Sequence, residues 1–466
     1  MHLLSLPHTG VPVLLQLFGN TYGTEPLLSL FSDEGFAAAF LQFERALLDT
    51  QEELGLVPGG EAAKLAAIGA ADLDLKRAGD ATLTTGNPVS GLVELVHERA
   101  PYAHYGVTAH DAWDVAHVLQ LRQALDLINR DLRTAVACLT DLVEAHADTP
   151  MVARTQGQSG APTTLGFKLS TWLDELLRTA GRLEHAAAQA FIVTIAGAVG
   201  TGSSFEAMGG DPQQMERAVA KRLGLGTPRT SWHSARDQFV EFAAGLGQLC
   251  TLAGKIGHEI YNLQRTGIGE LAEGGAAGSS SVPQKVNPWI AQRMHGMAVT
   301  GRGHAATVAA AAALPEGERE IGTAYAEWHS LAHLCLISGR LTEDLAGMLG
   351  RLDIRPQAMQ ANLDADPSIL SESLSMVLCQ KLGKQQGHVL MKQAMARHGQ
   401  GIPFRNAVLE VFEQAGVARP PDALFTSGLQ GWAPIRARKL AAIARVWLEG
   451  SDPAQARHVT DQGQAG

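Results

Sequence analysis

Between Gly278 and Pro288 the chain reads Gly-Ser-Ser-Ser-Val-Pro-Gln-Lys-Val-Asn-Pro, so three hydroxyls, an ammonium and a carboxamide share eleven residues punctuated by glycine and proline. Hydroxyl, ammonium and backbone N–H groups displayed together suit an anion, above all one whose charge grows during a reaction. A Ser/Gly stretch of this kind most often serves as a plain flexible linker. Two features set this one apart. It lies between helical segments, and the connection from Thr266 to Pro288 is far longer than an ordinary interhelical link.

The elements that must position this loop are legible in the apolar spacing. Val118, Leu121, Leu125, Ile128, Leu132, Ala135, Leu139 and Leu142 follow an unbroken three-four repeat, and Phe239, Phe242, Leu246, Leu249, Ala253, Ile256, Ile260 and Leu263 repeat it. Such seams belong to long helices packed side by side at shallow angles. A helix from Ala112 to Ala147 would be about 54 Å long, and only partners of similar length could bury its seam. Pro162 is placed to start a third helix, with Leu165, Leu169, Trp172, Leu176, Leu183 and Ala187 on one face. Two more helical stretches follow the loop, about 289–313 and 322–349, which makes five. No strand-like alternation of any length is present. The expected organisation is therefore all-α with three domains: short helical pieces over 1–106, the long-helix bundle over 107–350, and short helices broken at Pro356, Pro367, Pro403 and Pro420 over 351–466. The tail from Asp452 is expected to fray. A bundle of this kind says nothing by itself about chemistry.

Composition narrows the class. A net charge of −10 and a pI of about 5.9 leave no electrostatic footprint for nucleic acid or an anionic membrane. The four cysteines, Cys138, Cys250, Cys335 and Cys379, are scattered without a CxxC pair, as expected of free thiols in a reducing compartment. Met1 to Asn20 has no basic residue ahead of its apolar stretch and makes a poor signal peptide. The longest apolar runs, 186–199 and 305–314, are too short to span a bilayer. A cytoplasmic protein without metal or cofactor is the expectation.

The loop closely resembles the GSSxMPxKxNP segment of the fumarase/aspartase superfamily, with Val282 at the Met position. Two earlier stretches resemble its other active-site segments in the family's order: His104-Tyr-Gly-Val-Thr-Ala-His-Asp111 the one written with TSxD, and Arg154-Thr-Gln-Gly-Gln158 the one written RTHxQ. Shorter stretches are similar to the branch of 3-carboxy-cis,cis-muconate cycloisomerases and adenylosuccinate lyases, among them Phe43-Glu-Arg-Ala46, Trp232-His-Ser-Ala-Arg-Asp237, Ala326-Glu-Trp328 and Ala361-Asn-Leu-Asp364. The resemblance covers essentially the whole chain. It implies a homotetramer whose central bundles merge and whose active sites each draw segments from three subunits.

It also implies a reaction. The shared chemistry removes a proton from the carbon next to a carboxylate and expels a group from the neighbouring carbon, through a dianionic aci-carboxylate that needs fixed positive charge. In family terms Ser279 is the base, acting as an alkoxide, and Lys285 and Asn287 hold the substrate carboxylate. Thr108, Thr155, Gln156 and Gln158 fall at substrate-contacting positions. Taken alone, Thr108 reads as a helix N-cap and Thr155 as a turn residue. His110 stands at the variable position of TSxD, where a pocket role and a satisfied surface histidine weigh equally.

Departures from the pattern narrow the reaction. Many fumarate-releasing members carry a His at the position of Gln156 and a Glu at that of Gln292, seven residues after Lys285. Gln cannot donate or accept a proton usefully, so the leaving group must need no protonation; a lactone carboxylate, with a pKa of about 4, meets that requirement. Ala109 replaces a usual Ser and removes a hydroxyl contact. The leading expectation is an enzyme interconverting 3-carboxy-cis,cis-muconate and its γ-lactone, acting on a small di- or tricarboxylate. The alternatives are a fumarate-releasing β-elimination lyase, adenylosuccinate lyase-like or with an anionic leaving group, and a catalytically silent structural tetramer.

Overall fold

The computed structural model describes residues 16–275, 278–279, 281–426 and 429–450. The segment before Gln16, Ser280 and the tail from Asp452 lie outside the described residues. Five helices dominate: α1 (Ala109–Ala145), α2 (Leu165–Ala190), α3 (Asp237–Gln264), α4 (Trp289–Ala311) and α5 (Gly322–Leu349). The 37 residues of α1 give about 55 Å of helix. Its seam from Val118 to Leu139 is buried, and Val143 replaces the half-buried Leu142 at the far end. Every member of the α3 seam is at most 2% exposed. Helices approach closely where small residues meet: a Cβ added to Gly254 of α3 would lie 2.4 Å from the Cβ of Ala298 of α4. Among the described residues no helix is long and apolar enough to cross a membrane.

Two expectations need correction. Pro162 does not start a helix. It sits in strand β2 (Gln158–Thr164), opposite Val152 of β1 (Pro150–Thr155). Helix α2 begins after Thr164, whose hydroxyl oxygen accepts the Phe167 N–H at 3.2 Å, so the cap two residues after Pro162 sets the boundary. The hairpin itself escaped notice because period-two alternation never forms. Met151 and Val152 are buried in succession, and Gln158, Ser159 and Gly160 are exposed in succession. A proline is tolerated there because a two-stranded sheet has only edges.

The described residues fall into two compact units. Unit 1 draws on Met1–Leu132, Arg178–Gly254 and Met294–Asp344, and unit 2 on Arg133–Leu177, Lys255–Arg293 and Leu345–Gly466. The boundaries fall inside all five long helices. Unit 1 contains the Asp33–Glu53 helix, which buries Phe40, Phe43 and Leu47 and opens on a Ser32 cap. Unit 2 closes on an apolar cluster in which Val152 of β1 joins Leu363, Leu374, Leu378, Phe404 and Phe412 of the C-terminal helices.

Candidate active site

In unit 2 the sequence β1–turn–β2 delivers Thr155, Gln156 and Gln158 to the exposed tip of a hairpin. The strands are joined by two residues, Gln156 and Gly157, with φ of 54° and 74°. Two positive φ angles are what a tight hairpin turn of this twist requires, and a glutamine held there is strained. Behind the tip, Arg154 forks onto the fully buried Glu270 carboxylate at 2.8 and 2.7 Å. Asn362 donates to the same carboxylate at 2.8 Å. A bidentate pair with a further donor fixes the hairpin's direction.

The loop carrying Ser279 is wired by its own backbone. Gly278 and Val286 form an antiparallel bridge, and the Ser279 N–H donates to the Lys285 carbonyl at 2.9 Å. The Lys285 N–H returns to the Val282 carbonyl at 2.9 Å. The Ser279 Oγ accepts two backbone N–H groups, from Ser281 at 3.3 Å and Val282 at 3.1 Å. Two amide donors aimed at one hydroxyl oxygen favour its ionised form. Lys285 is exposed, Asn287 is half-buried and its carbonyl accepts the Trp289 N–H, and Gln292 lies exposed on the first turns of α4.

Thr108 and His110 belong to unit 1. Thr108 occupies the cap position of α1, where its N–H donates to Asp111 Oδ2 at 2.9 Å, and its hydroxyl receives a guanidinium N–H from Arg319. His110 is 3% exposed, so the surface reading of that histidine does not hold. Its Nε2 lies 3.4 Å from Asp114 Oδ2, and its buried Nδ1 has no hydrogen-bond partner among the described residues. Asp114 accepts Arg236 at 2.9 and 3.1 Å and the Trp328 indole N–H at 3.0 Å. Arg236 turns its Nε to Glu327 at 3.1 Å. One turn back, the buried Asp111 also takes Gly197 N–H at 3.0 Å, the Thr194 hydroxyl at 3.1 Å and His233 Nε2 at 2.8 Å.

Electrostatics follow from one buried cation shared by two carboxylates. Burial pushes the Asp114 carboxyl up, but Arg236 and His110 outweigh it and hold the group below the usual range. For Glu327 burial wins over Arg236, so its carboxyl stays raised. Burial also dominates at His110, aided by Arg236 and His233 against Asp114, and keeps the imidazole neutral-leaning. At His117, stacked on Trp328 with ring centroids 4.3 Å apart, burial takes the pKa down to about 4.

Sequence reasoning missed Arg319, Asp114, Arg236, Glu327 and Glu270. His233, Arg236, Glu327 and Trp328 lie within quoted stretches, yet their partners stand 91 to 214 residues away and nothing local ties them together.

The lyase family model matches residues 67–303. The 3-carboxy-cis,cis-muconate cycloisomerase of Pseudomonas aeruginosa is 35% identical over 396 residues, covering 82% of this chain and 85% of that protein. An N-acetyl-S-(2-succino)cysteine lyase of Dickeya dadantii is 33% identical over 404 residues, covering 84% and 88%. Among solved structures, the 3-carboxy-cis,cis-muconate lactonizing enzyme from Pseudomonas putida superposes with a TM-score of 0.84 at 31% identity, covering 92% of this chain and 99% of that one. With this all-α fold, the three segments and these relatives, the chain belongs to the lyase family of the fumarase/aspartase superfamily and is an enzyme of its cycloisomerase or carbon–heteroatom lyase type.

Proposed function

We propose that the enzyme interconverts 3-carboxy-cis,cis-muconate and its γ-lactone, with Ser279 as the base. The observation that carries the choice of reaction is the pair Gln156 and Gln292, which leaves both proton-handling positions of the fumarate-releasing members without a titratable group. In the ring-opening direction Ser279 Oγ takes the proton from the carbon next to a carboxylate. The C–H pair becomes the new C=C bond by way of the aci-carboxylate, and the ring C–O bond breaks to release a carboxylate. That group departs as a stable anion and needs no acid. Lactonisation runs the same steps backwards. The amides of Ser281 and Val282 favour the Ser279 alkoxide, while Lys285 and Asn287 supply charge and hydrogen bonds for the carboxylate on which negative charge accumulates.

The full site is a property of a homotetramer with shared long helices. The exposure of Val299, Ala306, Ala309 and Ala310 along α4 of the single chain supports this, as does that of Thr155, Gln156, Gln158 and Lys285, since a serine alkoxide needs exclusion of water. Light scattering that gave a stable monomer at micromolar concentration would defeat it. A second reading, a lyase whose leaving group is already a stable anion, is favoured by the similarity to the protein that acts on N-acetyl-S-(2-succino)cysteine. An ultraviolet assay separates the two. Loss of diene absorbance from 3-carboxy-cis,cis-muconate is the expected result, whereas fumarate appearing from substituted succinates, with the muconate untouched, establishes the lyase.

A further inference from the structure

We infer that Gln264 and Glu273 clamp the base of the Ser279 loop, and that Gln264 is a positioning residue for the chemistry there. The inference rests on the reading of Ser279 as base. The chain leaves α3 at Gln264, runs through Leu271–Ala272 and Glu273 into the loop, and returns at Trp289 to begin α4. Glu273 is 2% exposed, and its carboxylate accepts the N–H groups of Ile290 at 3.3 Å and Ala291 at 2.8 Å. These are first-turn amides of α4 that have no partner within the helix, so the outgoing strand holds the incoming helix by its positive end.

Gln264 braces the same gap from a third direction. Its Oε1 accepts the Glu273 N–H at 2.8 Å and its Nε2 donates to the Val286 carbonyl at 3.1 Å. Val286 is the residue bridged to Gly278, next to the rung in which the Ser279 N–H donates to Lys285. One planar amide therefore ties the backbone of Glu273, whose carboxylate holds the start of α4, to the bridged segment that sets Ser279 against Lys285. Gly274 leaves the loop no room to slide. Its carbonyl accepts Arg351 Nε at 2.8 Å, and an added Cβ would lie 1.8 Å from the Arg351 carbonyl oxygen. Only a side chain with donor and acceptor on one short plane spans Glu273 and Val286 together. Glutamate keeps the acceptor and loses the donor, and methionine keeps neither.

The test uses the full-length protein and two readouts. In Gln264→Met, amide hydrogen exchange at Ser279 and Lys285 should quicken by about tenfold, because the rung loses its brace. On 3-carboxy-cis,cis-muconate, kcat should fall about tenfold or more with KM within about threefold, since a misplaced base slows chemistry more than binding. Gln264→Glu should share the loss, having no donor for Val286. Unchanged exchange in Gln264→Met, or wild-type kcat in either variant, overturns the clamp. Ser279→Ala run alongside separates the two claims. If it is inactive while Gln264→Met matches wild type, the clamp alone fails; if it is fully active, the reading of Ser279 fails and the inference with it.

Discussion

The groups around His110 in unit 1 and those around Ser279 in unit 2 are held in place by opposite means. Near His110, side chains do the holding: Arg236 sits between Asp114 and Glu327, all at most 5% exposed. Near Ser279, backbone shapes the loop, through the Gly278–Val286 bridge and the amides that reach Ser279 Oγ, and side chains enter only at its base, at Gln264 and Glu273. A cage of side chains fails when any one member is lost. A backbone scaffold tolerates most side-chain changes and leaves the few remaining side chains free for chemistry.

The sharpest way to break this contrast is to alter one residue on each side. Ser279→Ala should lower kcat by about 10³-fold or more and move the thermal midpoint by less than about 2 °C, because the two amides lose a hydroxyl and the fold loses nothing. A stability loss with activity retained would reverse the assignment of the two regions. Arg236→Met should do the converse. Stranding two buried carboxylates costs about 3–5 kcal/mol, read from urea unfolding, and Arg236→Lys should recover only part because it lacks the fork. A loss below about 1 kcal/mol would mean the cage holds little.

Acid should probe unit 1 selectively. The folded pKa of His117 is about 4 against an ordinary 6.5, so between those values the unfolded chain binds a proton that the native state refuses. Stability therefore falls as pH drops through that window, by up to about 1.4 kcal/mol per pH unit for one such group. His117→Phe should flatten the slope in unfolding curves collected from pH 7 to 4. His104 runs the other way. Burial lowers it, but the Glu44 carboxylate at 2.7 Å prevails and raises it, so its contribution is complete in acid and is lost as pH climbs past its raised value. The smallest effect belongs to the hairpin tip. Gln156→Gly removes a side chain from a φ of 54° and should stabilise by about 0.5–1 kcal/mol, seen as a small rise in thermal midpoint.

The two regions were not equally readable from sequence. The α3 seam from Phe239 to Leu263 is a one-dimensional signal, and each of its residues is buried as the spacing demands. The Ser279 loop is likewise a contiguous string. The cage is not, because Asp114, Arg236 and Glu327 come from three helices' worth of separated chain and no local preference selects them as partners. His110 illustrates the boundary. The sequence placed it just ahead of a helix starting at Ala112, whereas it lies within the first turn of α1, and only its burial against Asp114 and His233 decided that it faces inward. The β1–β2 hairpin stayed hidden for a third reason: its strands bury and expose residues in blocks, which no periodicity can register.

The unit boundaries, which fall inside all five long helices, bear on how the protein is made. Unit 1 is not complete until Asp344 has been synthesised, and unit 2 draws on chain beyond it, so neither unit is complete until about three-quarters of the chain has been made. While the 91 residues from Arg236 to Glu327 are being added, Arg236 and Asp114 exist without Glu327, and the α3 seam waits for α4 and α5. For the same reason the chain cannot be shortened to a working half, and a nonsense or frameshift lesion at any point before α5 abolishes both units together.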